Sequence, residues 1–329
     1  MKSFANASIT STAGLAQRKK VIFFLLKILI AAGLLIFLIF KINFSEFTSV
    51  IRHAKLSFLL TGFSLLFVNL FLQYKKWELT CGNYLQEKNK KKILYSLFAG
   101  LSAGTFTPAR VGEYFGRAVA FKNQPLMHIT VATFIDKFYP LIIVAFVGSI
   151  SSILFIFYYY HAAIYLTVAL LILLFIIFYA VIYLLIKPGQ LDALLGKIFT
   201  NNKKINSLLE TINLFRNANS MYSVKMILIS LLFYLCYIFQ FSFLVAAYEG
   251  NYDFIHYFWA GNLVMFTKTL IPSISFAELG IREGASIYFL GSMGLTSIVA
   301  FNASITLFFI NVLLPSITGL FFLMKKDYA

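Results

Sequence analysis

Acidic residues, cysteine and proline are all scarce in this 329-residue chain, which holds 12 aspartates and glutamates, two cysteines and six prolines. Cys81 and Cys236 alone build neither a disulfide framework nor a thiolate metal site. The four histidines, His53, His128, His161 and His256, are scattered, so no metal is expected. Six prolines and 18 glycines are too few for a linker-rich or disordered chain. Charged residues make up 12% of the sequence, where soluble proteins carry about 25%, and a soluble enzyme is thereby excluded. No G-x-x-x-x-G-K-[ST] phosphate loop is present, so neither ATP hydrolysis nor any other cofactor is expected.

What the chain does have is apolar bulk: 60% hydrophobic residues, 38 of them phenylalanine, which predicts an all-α polytopic membrane protein. Residues 21–40, 56–74, 131–157, 162–186, 226–248 and 295–323 are each long enough to cross a hydrocarbon core of about 30 Å, giving six full spans. The first exceeds the roughly 7–15 residues of a signal-peptide core and reads as a retained span. Two further stretches, 93–121 and 254–290, are apolar but broken by Pro108 and Pro272 and studded with charge. Each reads as a broken, re-entrant helix pair that enters and leaves on one side. Backbone opened by proline cannot face lipid, so it must be buried in protein or line a wet cavity.

The net charge of +16 would suggest nucleic acid in a soluble chain, but here basic residues sort into cytoplasmic loops, and no nucleic-acid partner is expected. With segment 1–20 inside, the cytoplasmic side receives 18 lysines and arginines, Lys75 and Lys76 among them. Only Lys41, Arg52 and Lys55 fall outside. Both termini are then cytoplasmic. Loop 187–225 is also cytoplasmic, basic and amphipathic, with Ile205, Leu208, Leu209 and Ile212 at helical spacing opposite Lys203 and Lys204. The order span, span, broken pair, span occurs in residues 21–157 and again in 162–323, starting from opposite sides. That is an inverted repeat, an arrangement in which broken helices of two halves build a transporter's substrate site.

The broken pairs carry the chemistry. G-x-x-x-G at Gly100/Gly104, Gly112/Gly116 and Gly280/Gly284 favours close helix packing. Arg110, Glu113, Arg117, Asp136, Lys137, Lys268, Glu278, Arg282 and Glu283 all fall in or beside apolar segments, where each charge costs about 2.5–3.5 kcal/mol on insertion scales and needs a partner or a polar cavity. Glu113 with Arg117 and Glu278 with Arg282 are i,i+4 pairs that could neutralise each other. Arg110, Arg117 and Arg282, with Glu113 and Glu283, are expected to bind a phosphate headgroup, which suits the planar guanidinium fork. Asp136, Lys137, Lys268 and Glu278 are candidates for coupling or charge pairing. Asp136 lacks a local partner, since Lys137 at i+1 points elsewhere; it either pairs with Arg110 or Arg117 or carries a proton.

The segment Thr107-Pro108-Ala109-Arg110-Val111-Gly112-Glu113-Tyr114-Phe115-Gly116-Arg117 resembles the P-x-R-x-G-E motif, followed by Arg, of the lysylphosphatidylglycerol synthase transmembrane, or flippase-like, family. Glu278-Leu279-Gly280-Ile281-Arg282-Glu283 resembles its later G-x-R-E motif, and Phe134-Ile135-Asp136-Lys137-Phe138 the acidic-basic pair between them, with Lys137 where arginine is usual. Members are bacterial and archaeal polytopic proteins, so the resemblance implies a multi-pass protein of a prokaryotic cytoplasmic membrane. Six residues follow Leu323, and lipid translocation without lipid synthesis is the expectation. Membrane lipids, phospholipid or polyprenyl-linked or glycolipid, are the expected partners, with a homo-oligomer left open. An embedded lipid or polyprenyl transferase and a carrier of small soluble anions are the competing readings.

Overall fold

The computed structural model describes residues 54–105, 107–187, 220–251, 253–271 and 280–324. The predicted span at 21–40, segment 1–20, most of loop 187–225, Pro272 and Glu278 lie outside the described residues. Among the described residues the chain is helical and carries no strand. Helix α1 (Leu56–Thr80) runs on into a π turn (Cys81–Leu85). Helices α2 (Lys90–Thr105) and α3 (Gly112–Ala118) form the first broken pair, followed by α4 (Leu126–Tyr160) and α5 (Ile164–Ile186). Then come α6 (Ser220–Glu249) and the second broken pair, α7 (Phe254–Leu270) and α8 (Ile281–Ser292). The last element is α9 (Ser297–Phe308), a π turn (Phe309–Leu313) and α10 (Leu314–Met324).

Among the described residues, five helical segments are long and apolar enough to cross a membrane: Leu56–Leu85, Leu126–Tyr160, Ile164–Ile186, Ser220–Glu249 and Ser297–Phe321. They overlap the five predicted spans that lie among the described residues. The arms of the broken pairs are shorter. At 1.5 Å per residue, α2 reaches about 24 Å and α7 about 25 Å, less than a full crossing. Two predicted loop boundaries move. Helix α1 does not stop at residue 74, because Trp77, Cys81 and Leu85 continue its buried face, so Lys75 and Lys76 are helix residues. Helix α6 starts at Ser220 and takes the end of the predicted cytoplasmic loop into the bundle. Asn89 opens α2 by accepting the backbone N–H groups of Lys91 at 3.1 Å and Lys92 at 3.4 Å.

Packing follows a reciprocal plan. Helix α1 lies along α6; α2 packs on α10, and α7 packs on α4; α3 covers α4, and α8 covers α9. In lipid, burying leucine gains little over leaving it among acyl chains, so close van der Waals approach must hold such contacts. The small residues show where. A Cβ on Gly319 of α10 would lie 2.2 Å from the Phe98 carbonyl oxygen of α2, and one on Gly148 of α4 would lie 2.4 Å from the Phe266 side chain of α7. The main core lies between α1, α4, α6, α7 and α9, around Leu66, Val144, Phe241, Val264 and Ala303. Helix α5 rests on α4 and α6 and buries only Thr167, leaving an apolar surface outward as a lipid-facing helix does.

Candidate functional site

Proline begins the site. Pro108 has no N–H to continue α2, and the chain turns through a short 3-10 segment, Pro108–Arg110, in which Ala109 (φ 50°) and Arg110 (φ 56°) both adopt left-handed backbone. Thr107 holds the turn: its Oγ1 accepts the Gly112 N–H at 2.7 Å and donates to the Ala103 carbonyl at 3.2 Å. Helix α3 then returns along α2 at backbone contact. A Cβ on Gly112 would lie 2.3 Å from the Ala103 carbonyl oxygen, and one on Gly116 would lie 2.5 Å from that of Ala99. Gly100 and Gly104 act differently from the expected packing pair. They leave a trough in α2 for charged side chains, since a Cβ on Gly100 would meet Arg117 Cγ at 2.5 Å and one on Gly104 would meet Glu113 Cβ at 3.1 Å.

Those side chains form a network with α4 and α1. Arg117 donates through Nη2 to Glu113 Oε1 at 2.8 Å and through Nη1 to Asp136 Oδ2 at 2.9 Å. Its guanidinium stacks on Trp77, 4.1 Å from the ring centroid. Trp77 Nε1 donates to Ser96 Oγ at 3.2 Å, and Ser96 donates to the Arg117 carbonyl at 2.9 Å, so the arginine is fixed at both ends. Glu113, 1% exposed, also meets Lys137 Nζ at 2.6 Å and Arg110 Nε at 3.6 Å. Asp136, for which the sequence left pairing and proton carriage open, sits between Arg117 and Lys76.

The sequence reading placed Lys76 in a loop, yet it is buried in the centre of this network. Pro140 explains its position. Lacking an N–H, Pro140 frees the carbonyl of Asp136 four residues earlier in α4. Lys76 Nζ donates to that carbonyl at 3.0 Å and stands 3.6 Å from Asp136 Oδ1. The signal was present: Asn69, Gln73, Lys76 and Thr80 recur at steps of four, three and four, a polar stripe on one face of α1.

Together these groups wall a cavity of about 250 Å³. Asn69, Gln73 and Lys76 come from α1, Arg110, Glu113 and Arg117 from the first broken pair, and Asp136, Lys137 and Pro140 from α4. Tyr237 of α6, Lys268 of α7 and Asn311 of the last π turn close it from the other half of the chain. The Lys268 ammonium lies 5.3 Å from the Tyr237 ring centroid. Five cations, Lys76, Arg110, Arg117, Lys137 and Lys268, and two carboxylates, Glu113 and Asp136, line it, and among the cations paired with those carboxylates Arg110 (26% exposed) and Lys137 (35%) are the accessible ones. Among the described residues no group of three or more His, Cys, Asp and Glu side chains is placed to hold a metal.

The second broken pair places its charges elsewhere. Arg282 is fully buried and does not line the cavity. It donates through Nη2 to Glu283 Oε1 at 2.8 Å and through Nε to Ser304 at 3.1 Å, while Glu283 Oε2 accepts the Gly280 N–H at 2.7 Å. Its partner is thus the adjacent glutamate; Glu278 lies outside the described residues. Gly280 has φ +94°, a turn conformation suited to glycine, and caps α8. Neither it nor Gly284 meets a described neighbour within 4 Å of an added Cβ, so the expected packing role of this third G-x-x-x-G has no counterpart among the described residues.

No curated protein and no solved structure shows a match to the chain. A family model, the lysylphosphatidylglycerol synthase TM region, matches residues 24–319. That range includes both broken pairs and every described span except the last two residues of the final one. The protein therefore belongs to the lysylphosphatidylglycerol synthase TM region family, as a multi-pass membrane protein of a lipid-related group.

Proposed function

We propose that this protein is a lipid translocase, not an enzyme, which moves a phosphate-bearing lipid between leaflets of a prokaryotic cytoplasmic membrane. The headgroup passes through the cavity while the acyl chains stay in the bilayer. One observation carries the reading: a cavity whose charged lining holds more cations than carboxylates, built jointly by the two halves of the chain. At about 250 Å³ it falls below the roughly 300–1,000 Å³ typical of drug-sized ligands, which suits a headgroup and not a whole lipid. The two halves are read as an inverted repeat with both termini cytoplasmic, and the reciprocal packing of α2 on α10 and α7 on α4 supports this. Headgroup contact is assigned to Arg110, Arg117 and Lys137, with Glu113 holding them in place.

Reconstitution tests the proposal. Proteoliposomes containing fluorescent phospholipid are treated with a membrane-impermeant quencher, and inner-leaflet lipid that becomes accessible is followed over time. Wild-type protein is expected to exceed empty vesicles, and Arg110→Gln and Lys137→Gln to fall back towards them. Exposure equal to empty vesicles for anionic, zwitterionic and phosphomonoester lipids alike would remove the function.

A further inference from the structure

We propose that the group bound in this cavity is doubly negative: a phosphomonoester or a pyrophosphate, in preference to a singly charged phosphodiester or a cationic headgroup. The inference rests on the translocase reading only in placing that phosphate on a lipid. Lys76, Arg110, Arg117 and Lys137 give four positive charges on the wall, and Glu113 and Asp136 give two negative ones. Lys268 also lines the cavity, so the surplus is at least two. In a membrane interior uncompensated charge is costly, so the stable occupied state is the one whose ligand closes the balance. A phosphomonoester carries about −1.5 to −2 near neutral pH. A phosphodiester brings one negative charge and leaves at least one cation over, so the dianion comes nearer to balance. A headgroup with its own ammonium group deepens the surplus.

Hydrogen-bond chemistry points the same way. The carboxylates are already occupied: Glu113 by Arg117, Lys137 and Arg110, and Asp136 by Arg117 and Lys76. The wall still offers donors, beside the acceptors Glu113 Oε2, Asp136 Oδ1 and Asn311 Oδ1, which accept no hydrogen bond. Gln73 Nε2 donates to Asn69 Oδ1 at 2.7 Å, which fixes the Asn69 amide and leaves its buried Nδ2, on the cavity wall, without a partner. Arg117 Nε is buried and makes no hydrogen bond either, and Arg110 Nε has only its 3.6 Å ion pair with Glu113. Cations and orphan donors around one space fit the oxygens of a phosphate group.

The test is a thermal-shift titration of the purified full-length protein with short-chain phosphatidic acid, phosphatidylglycerol and phosphatidylcholine, and separately with inorganic pyrophosphate. Phosphatidic acid is expected to half-saturate at about tenfold lower concentration than phosphatidylglycerol, the order expected for one added charge near partly solvated cations. Phosphatidylcholine is expected to produce little shift. In Arg110→Gln and Lys137→Gln, each removing one partly exposed cation, phosphatidic acid and phosphatidylglycerol should converge. Equal or tighter binding of phosphatidylglycerol by the wild type, a comparison that needs no variant to fold, would overturn the proposal. A shift with pyrophosphate but with none of the lipids would uphold the dianion and sink the lipid translocase. Transport of phosphatidylglycerol without preference for phosphatidic acid would do the reverse.

Discussion

In the first broken pair Glu113 and Arg117 stand on the wall of a cavity, tied to residues of α1 and α4 and outnumbered by nearby cations. In the second, Arg282 and Glu283 close on each other, on Ser304 and on a backbone N–H, buried and outside the lining of that cavity. Both pairs present an arginine and a glutamate beside a G-x-x-x-G, so residue type alone does not separate a ligand site from a brace. Stoichiometry does. A one-to-one pair with nearly every donor and acceptor used is self-contained, whereas a lining with more cations than carboxylates leaves charge for a ligand to neutralise.

The sharpest way to break this comparison is to remove one arginine from each pair. Arg282→Gln strands buried Glu283 and is expected to cost about 3–5 kcal/mol, read as a large loss of thermal stability and of folded yield. Arg110→Gln removes a 26% exposed partner that stands 3.6 Å from Glu113. Its expected cost is within about 1 kcal/mol, with lipid transfer strongly reduced. Equal destabilisation by the two would mean that both clusters are braces.

The glycines sharpen the contrast at a smaller scale. Gly116→Ala forces a methyl group to within 2.5 Å of the Ala99 carbonyl, and α3 must lift from α2. Overpacking of this kind costs about 1–3 kcal/mol. Gly284→Ala meets no described neighbour within 4 Å, and replacing a helical glycine is expected to stabilise α8 by up to about 1 kcal/mol. Thermal denaturation of the two purified variants reads opposite signs if the pairs differ as described.

Much of this was legible in the sequence. Length and hydropathy locate the five described spans, with ends within about six residues except at the end of α1, which runs on to Leu85, and Pro108 marks the first break. The i,i+4 pairing of Glu113 and Arg117 follows from helical spacing. The missed residues are those whose meaning depends on another helix. Lys76 looked like a loop lysine after an apolar run, and only the Asn69-Gln73-Lys76-Thr80 stripe showed that the helix continued. Its partner, the Asp136 carbonyl, is freed by Pro140, a residue the sequence reading passed over because proline within a long apolar span looks like a simple kink. The grouping of Arg282 with Arg110 and Arg117 rested on residue type, the fit of a guanidinium to phosphate, and no pattern within one helix states which of them faces open space.

Pro140→Ala probes that missed contact. A restored N–H can bond the Asp136 carbonyl within α4, adding a helical hydrogen bond worth about 0.5–1.5 kcal/mol while displacing the Lys76 ammonium. Thermal stability is expected to stay within about 1 kcal/mol of wild type, because the two effects oppose each other. Lipid transfer should change, since Lys76 is then free to move within the cavity. Unaltered transfer with raised stability would show that Lys76 does not depend on the carbonyl for its position.

The smallest expected effect concerns the turn between the arms of the first pair, which has no described equivalent in the second. Ala109 and Arg110 are consecutive non-glycine residues with positive φ, a backbone region that costs an L-residue about 1–2 kcal/mol. The turn bears this cost because Thr107 clamps it on both sides and because it returns Arg110 towards Glu113. Ala109→Gly relieves the strain but leaves the unfolded chain with more freedom, so a net gain of up to about 1 kcal/mol is expected. The same relief widens the conformations open to Arg110. Stability is therefore expected to rise slightly while the preference for phosphatidic acid over phosphatidylglycerol falls. Should that preference stay intact in the stabilised variant, the position of Arg110 would be set by Glu113 alone, and the strained turn would have no part in the site.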